Sequence, residues 1–332
     1  MSTRYRTTLL RAGEFRLDAG SMFGLIPRVV WSRSVRVDDR NRVGLQQNCL
    51  LLERIDEPPA GGVLASPKLV LIEAGVGDKL DEKSRELFAL EDKSVHSALH
   101  QVGCRAEDVG AVVVSHLHFD HAGGLTRLCR AGETADWHGA SSSFGAPRGE
   151  HGVKITFPNA KVFVQRREWA DALANNSVMT RTYFGDHLLP YQGVGADRLV
   201  LVESLPPFGV GSVPQRGVRP MIPQEARQSE VLPGVFVFLV PGHTWGQQGV
   251  LFTDEKGRTV VFTPDVLPTA LHVGQAYSLG YDVEPYTSMI SRTWLLEEAA
   301  ERGWVLMLDH EPGHPFFAVK RNDKGWFDLM PA

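Results

Sequence analysis

Residues 112–125 read VVVSHLHFDHAGGL: a run of β-branched residues stops, and His116, His118, Asp120 and His121 follow within six positions. The preceding DVGAVVVS has the composition of a short buried strand, and the ligand-type side chains begin at its C-terminal end. This arrangement suits an α/β fold, in which loops at one edge of a sheet converge and collect binding residues from distant parts of the chain.

Three later apolar runs repeat the arrangement. VFVFLV (235–240), TVVFT (259–263) and WVLML (304–308) are each followed within three residues by a metal-ligand type: His243 in PGHTWG, Asp265 in TPDV and His310 in LDHEPGHP. In extended chain His116 and His118, two apart, face the same way and can share one ion. Asp120 and His121 are adjacent, but DHAGGL resembles a turn into a helix, where both can approach a second ion. The pattern therefore suggests two metals. Imidazole suits zinc, iron and similar ions, and a carboxylate such as Asp265 can bridge a pair of cations. The common helical zinc-protease site is excluded as a model. His96 and His100 read as surface residues, and His138, His151 and His187 as loop residues, whereas His272 and His314 follow ligand candidates closely enough to support them or face substrate.

Strands are expected at 48–53 and 68–73, a helical segment over 79–103, and a strand and helix in KVFVQ and RREWADALAN. Residues 1–332 read as one domain with an N-terminal extension over about 1–45 and loop insertions over about 131–155 and 205–228. A formal net charge of −4 provides no basic field for a phosphate backbone, so a small-molecule substrate is expected and nucleic acid is not. Cys49, Cys104 and Cys129 are odd in number and sit in or beside apolar segments, which suits reduced thiols and a cytoplasmic setting. No apolar run approaches membrane-spanning length, and no secretory leader is expected.

The His-x-His-x-Asp-His pattern, with the later His, Asp and His, resembles the metallo-β-lactamase superfamily of metal-dependent hydrolases. SHLHFDHAGGL and PGHTWGQQ look like its first and second metal-binding loops, and the resemblance covers roughly residues 45–315. It implies an αββα sandwich, two packed mixed β-sheets flanked by helices, with the site at one sheet edge. It also implies that His116, His118 and His243 hold one divalent metal and Asp120, His121 and His310 the other, with Asp265 bridging. Zinc is the first expectation, manganese or iron the alternatives. The family's frequent Asp-Thr-Gly is here Glu73-Ala74-Gly75, with a similar supporting role expected of the carboxylate.

The set resembles those of lactonases and organophosphate hydrolases more than those of tRNA-processing nucleases. It implies attack by a metal-activated hydroxide on a lactone, aryl ester or phosphotriester, with Asp265 and Asp120 as catalytic residues, Asp120 relaying a proton. Lactonases of this type carry a tyrosine three residues after the bridging aspartate, where this chain has Pro268; Tyr281 or His272 are candidates to stand in. Tyr183 and Phe184, in the aromatic segment 181–192, are candidate pocket residues, and residues 205–228 could cover the site as a lid. MFGLIPRVVW (22–31) could pack on a second copy in a homodimer. The rival readings are a mononuclear iron thiol (persulfide) dioxygenase, a glyoxalase II-like thioester hydrolase and, outside enzymology, a metal-stabilised binding protein.

Overall fold

The computed structural model describes residues 3–57, 66–139, 150–175, 182–208 and 213–332. Its strands are β1 (Arg4–Asp18), β2 (Arg42–Arg54), β3 (Leu69–Ile72), β4 (Ala111–Val113), β5 (Thr126–Leu128), β6 (Trp137–Gly139), β7 (His151–Ile155) and β8 (Lys161–Gln165). They continue as β9 (Leu199–Val202), β10 (Ser229–Leu232), β11 (Val235–Leu239), β12 (Gln248–Asp254), β13 (Thr259–Thr263), β14 (Val305–Leu308), β15 (Phe316–Arg321) and β16 (Phe327–Pro331). One layer runs β1-β2-β3-β4-β8-β9; the other runs β16-β15-β14-β13-β12, with β11 and β10 beyond β12. A short parallel contact of β1 with β12, Arg4 opposite Thr253 and Tyr5 opposite Asp254, joins the two layers into one hydrogen-bonded path.

Alternation along each strand sorts side chains into three apolar slabs. Leu50, Leu52, Val113, Val250, Phe252, Phe262 and Met307 meet between the layers. The intervening Cys49, Leu51, Val112 and Val114 face outward under helices Val95–Gln101 and Arg166–Ala174. Val261, Leu306 and Leu308 face the other way, under Trp294, Leu295 and Ala299 of helix Pro285–Arg302. Helix, sheet, sheet and helix thus stack as the expected αββα sandwich. The loops leaving β4, β11, β13 and β14 carry His116, His243, Asp265 and His310, and these residues meet at one edge.

Three stretches differ from expectation. Residues 4–18, within the segment expected as an N-terminal extension, pair along β2 from Tyr5 opposite Arg54 to Asp18 opposite Arg42. The helical segment 79–103 is interrupted: helix Glu82–Leu87 ends before Ala89, whose φ of 43° no helix permits, and Ser94 starts the next helix through a capping box. Within the expected loop 131–155, β6 and β7 form a small sheet with β5, while residues 140–149 lie outside the described residues.

Of the insertion 205–228, residues 209–212 lie outside the described residues. The rest is tied to helix Pro285–Arg302: Arg219 pairs with Glu297 and Glu301, Glu225 with Arg302, and the Arg227 guanidinium lies 4.1 Å from the Trp294 ring centre. No helix among the described residues is long and apolar enough to cross a membrane.

Candidate metal centre

His116 and His118 leave β4 in extended chain, and His118 then precedes the one-turn helix Phe119–Ala122 that presents Asp120 and His121, its own side chain free of any capping bond. That turn packs directly on the loop after β3: a Cβ added at Gly124 would strike the Ala74 carbonyl, so only glycine fits there. Gly242, with φ of 135° and its Cα pressed on the Ser288 backbone, places the second loop in the same way. Between the two loops stands Glu168, fully buried. It accepts hydrogen bonds from the Leu117 amide (3.0 Å), the Thr244 hydroxyl (2.6 Å) and the Tyr183 hydroxyl (3.2 Å). Sequence reading missed Glu168, which occupies an ordinary-looking position in RREWADALAN.

Three ring nitrogens converge. His118 Nδ1 lies 3.1 Å from His116 Nε2 and 2.9 Å from His243 Nε2, and Asp265 Oδ2 lies 3.0 Å from His243 Nε2. On the other side Asp265 Oδ1 lies 3.2 Å from His310 Nε2, which is 3.3 Å from His121 Nε2. Asp120 flanks this second group, its oxygens 3.9 Å from His121 Nε2 and 3.6 Å from His310 Nε2. The donors form two groups able to hold a metal ion, His116, His118, His243 and Asp265, and His121, Asp265, Asp309 and His310, with ligand atoms within 4.8 Å of one another in each. Asp265 belongs to both. Asp309 was not foreseen: it stands between the end of the apolar run 304–308 and the more conspicuous His310.

The outward nitrogens have partners that aim the rings. His243 Nδ1 meets Asp282 Oδ1 at 2.9 Å, His310 Nδ1 donates to the Gln46 carbonyl at 3.0 Å, and His121 Nδ1 lies 3.4 Å from Glu73 Oε2. Such contacts fix the tautomer that leaves the inward nitrogen free to bind. Glu73 holds an uncommon φ of 70°, and its other oxygen accepts the Ser115 amide, so this carboxylate reaches both the loop after β4 and the His121 ring.

Glu73, Asp120, Asp265 and Asp309 are all buried, and the ion pairs recorded for them among the described residues are with histidine rings. Burial alone would lower the pKa of His243, but Asp265 and Asp282 hold it at about 10. Burial likewise opposes the rise of His121, which Asp120, Glu73 and Asp265 carry to about 9. Burial pushes His116 and His118 well below the usual range, with neighbouring rings adding to it. Burial would raise Asp265, yet the His243 and His310 rings hold it well below the usual carboxylate range. Rings and carboxylates this tightly packed need positive charge between them. Both Asp309 oxygens are buried without a hydrogen-bond partner, and Glu73 Oε2 and Asp265 Oδ1 face histidine rings, at 3.4 and 3.2 Å. This donor set fits a pair of divalent cations.

The other candidates divide. Tyr281 stands over the centre, its ring centre 5.7 Å from that of His243 and its hydroxyl donating to Met22 Sδ at 2.7 Å. The Tyr183 ring lies 5.0 Å from His118, while Phe184 joins Val76, Leu80 and Phe119 in an apolar cluster beside Asp120. His272 is fully buried and both nitrogens are engaged, Nδ1 with Thr269 Oγ1 at 2.8 Å and Nε2 with the Met22 carbonyl at 2.7 Å, which leaves no nitrogen for substrate. His310-Glu311-Pro312-Gly313-His314 spells the zinc-protease pattern His-Glu-x-x-His, but Pro312 and Gly313 keep it out of a helix, and exposed His314 turns to the Ala332 carbonyl. His187, expected in an exposed loop, is buried in the short helix Gly185–Leu188.

A family model described as the metallo-beta-lactamase superfamily matches residues 45–310. An N-acyl homoserine lactonase of Bacillus sp is 26% identical over 206 residues, 61% of this chain and 56% of its own length, so the chain spans little more than half of that relative. Among solved structures, a probable metal-dependent hydrolase from Staphylococcus aureus superposes with a TM-score of 0.72 at 22% identity, covering 100% of this chain and 99% of that one. AidC, a dizinc quorum-quenching lactonase in complex with a product, N-hexanoyl-L-homoserine, superposes with a TM-score of 0.61 at 15% identity, covering 99% and 98%. These likenesses show the same fold. Together with the family match over most of its length, they lead to one conclusion: the chain belongs to the metallo-beta-lactamase superfamily.

Proposed function

We propose that the chain is a metal-dependent hydrolase of ester-like bonds, with a lactone as the first substrate class and aryl esters or phosphotriesters next. The observation that carries this reading is Asp265, whose two oxygens lie 3.0 and 3.2 Å from ring nitrogens of two different donor groups. His116, His118 and His243 would hold one ion, and Asp120, His121 and His310 the other, with Asp265 shared. Two divalent cations held there, zinc or else manganese or iron, would supply Lewis-acid activation of water near neutral pH.

The chain's own groups do the rest. Asp120 lies beside both His121 and His310 and is placed to take the proton released as the nucleophile forms. Pro268, where related lactonases have tyrosine, is buried, and its carbonyl accepts the His310 amide at 3.0 Å, so this position braces a ligand. The donor to the substrate oxygen falls to Tyr281. Tyr183, Phe184 and Phe119 line an apolar flank suited to an acyl or aryl group. Leu25 and Val29, 75% and 69% exposed, carry the further proposal that residues 22–31 meet a second copy in a homodimer, which light scattering tests.

The test is a panel of lactone, aryl ester, phosphotriester and thioester substrates. Metal-free protein would be assayed after reconstitution with zinc, manganese or iron, alongside Asp265→Ala. Metal-dependent ester or lactone hydrolysis that disappears in the variant is expected. Full activity of Asp265→Ala would overturn the reading, and oxygen uptake on glutathione persulfide with one iron would replace it with the dioxygenase.

A further inference from the structure

Asp309 stands outside the seven family-like donors, yet it is 1% exposed and neither carboxylate oxygen has a hydrogen-bond partner. Its ligand oxygen lies within 4.8 Å of those of His121, Asp265 and His310, and its Oδ2 is 3.9 Å from His310 Nε2, a separation like that of Asp120 from the same rings. The backbone cannot swing it away: the Asn48 amide donates to the Asp309 carbonyl at 2.9 Å, and the His310 amide to Pro268 at 3.0 Å. Its surroundings offer acceptors rather than donors. The small cavity it lines with Asp120 and Glu73 is also lined by Asn48, whose Oδ1 is unpartnered, and holds Glu73 Oε2, which faces the His121 ring, against one unpartnered donor, Gln47 Nε2. A buried acidic side chain among acceptors is matched by a cation.

We propose that Asp309 is a further ligand of the second ion, which makes the centre chemically asymmetric. The first position offers three imidazoles and one shared carboxylate. The second offers two imidazoles and the carboxylates of Asp120, Asp265 and Asp309. Imidazole-rich sites suit zinc, whereas oxygen-rich sites suit harder ions such as manganese. The second position therefore discriminates against Mn2+ in favour of Zn2+ less strongly than the first. This inference rests on the metal centre of the proposed function and not on its hydrolytic step.

The test reads metal binding, so a protein that holds two ions but hydrolyses nothing would sink the proposed function and leave this inference standing. Metal-free wild-type protein is titrated with Zn2+ and Mn2+ together, with stoichiometry read by native mass spectrometry and bound manganese by electron paramagnetic resonance. One zinc and one manganese per chain are expected over a range of ratios with manganese in excess; two zincs at every such ratio would overturn the asymmetry. Asp309→Asn, close in shape, is expected to lower manganese affinity at least about 10-fold while the zinc position is unchanged. Asp309→Cys loaded with Co2+ supplies a direct contact test, because a thiolate on cobalt adds a near-ultraviolet charge-transfer band. Wild-type protein is its control, since Cys49 lines the same cavity. A folded Asp309→Cys protein with two bound cobalt ions and no such band, or wild-type manganese affinity in Asp309→Asn, overturns the assignment.

Discussion

Asp282 Oδ1 lies 2.9 Å from His243 Nδ1, and its second oxygen accepts the Leu279 amide at 3.0 Å, so the carboxylate anchors the ring to the loop before helix Pro285–Arg302. A carboxylate behind a ligating histidine fixes the tautomer and makes the inward nitrogen more basic. Asp282→Ala is expected to weaken the first metal position about 10- to 100-fold, read by competition with a chromophoric chelator. Unaltered zinc affinity would show that the ring is held by packing alone.

Glu168 connects the two ligand loops by accepting from Leu117, Thr244 and Tyr183. Removing it leaves buried donors unsatisfied, at about 1–3 kcal/mol each. Glu168→Ala is expected to lose on the order of 3 kcal/mol of stability by urea unfolding and to bind metal less tightly, with Glu168→Gln intermediate. Equal stability of Glu168→Ala and wild-type protein would remove the clamp from the account.

His272 makes a prediction about pH. Burial lowers its pKa from 6.5 to about 4, against the opposing pull of the Met22 carbonyl. Between those values the unfolded chain binds a proton that the folded chain refuses. The contribution to stability is therefore complete above pH 6.5 and falls as the pH drops toward 4. At about 1.4 kcal/mol per pH unit, this amounts to roughly 2 kcal/mol lost by about pH 5. Stability of His272→Gln should decline less than wild type between neutral pH and about pH 5, the difference between the two isolating this residue. Parallel declines would mean that the buried ring takes up its proton without unfolding.

The sandwich was legible wherever hydrophobic composition was dense. KVFVQ and TVVFT match β8 and β13 residue for residue, and VFVFLV and WVLML match β11 and β14 within a residue. β1 was not legible, because TTLLRAG breaks the polar–apolar alternation that RYR and EFRLD carry, and the register shifts between Arg11 and Glu14. Likewise β6 and β7 contain His and Gly and depend on one another for pairing. At the centre, the clustering of the histidines and Asp265 was readable because ligand-type side chains recur at strand ends. Asp282, Glu168 and Asp309 act through contacts across the chain, such as the 39 positions separating Asp282 from His243, and no local spacing announces those.

Tyr281 supplies the sharpest test of the proposed reaction. Burial, with the Asp265 and Asp120 carboxylates, pushes its hydroxyl well above the ordinary tyrosine range, so it stays a donor at neutral pH. Its acceptor is Met22 Sδ, and a thioether is a weak acceptor that a substrate oxygen gaining charge outcompetes. Its ring packs edge-on against His243, and the Asp265 and Asp120 carboxylates act on its hydroxyl, so the group lies beside the centre. A donor that strengthens its bond only as charge develops acts on the rate more than on binding. Tyr281→Phe is therefore expected to lower kcat on the best ester or lactone by about 100-fold with KM and metal content nearly unchanged. A kcat within about twofold of wild type would instead assign Tyr281 to packing against His243, leaving the substrate oxygen to the cations alone.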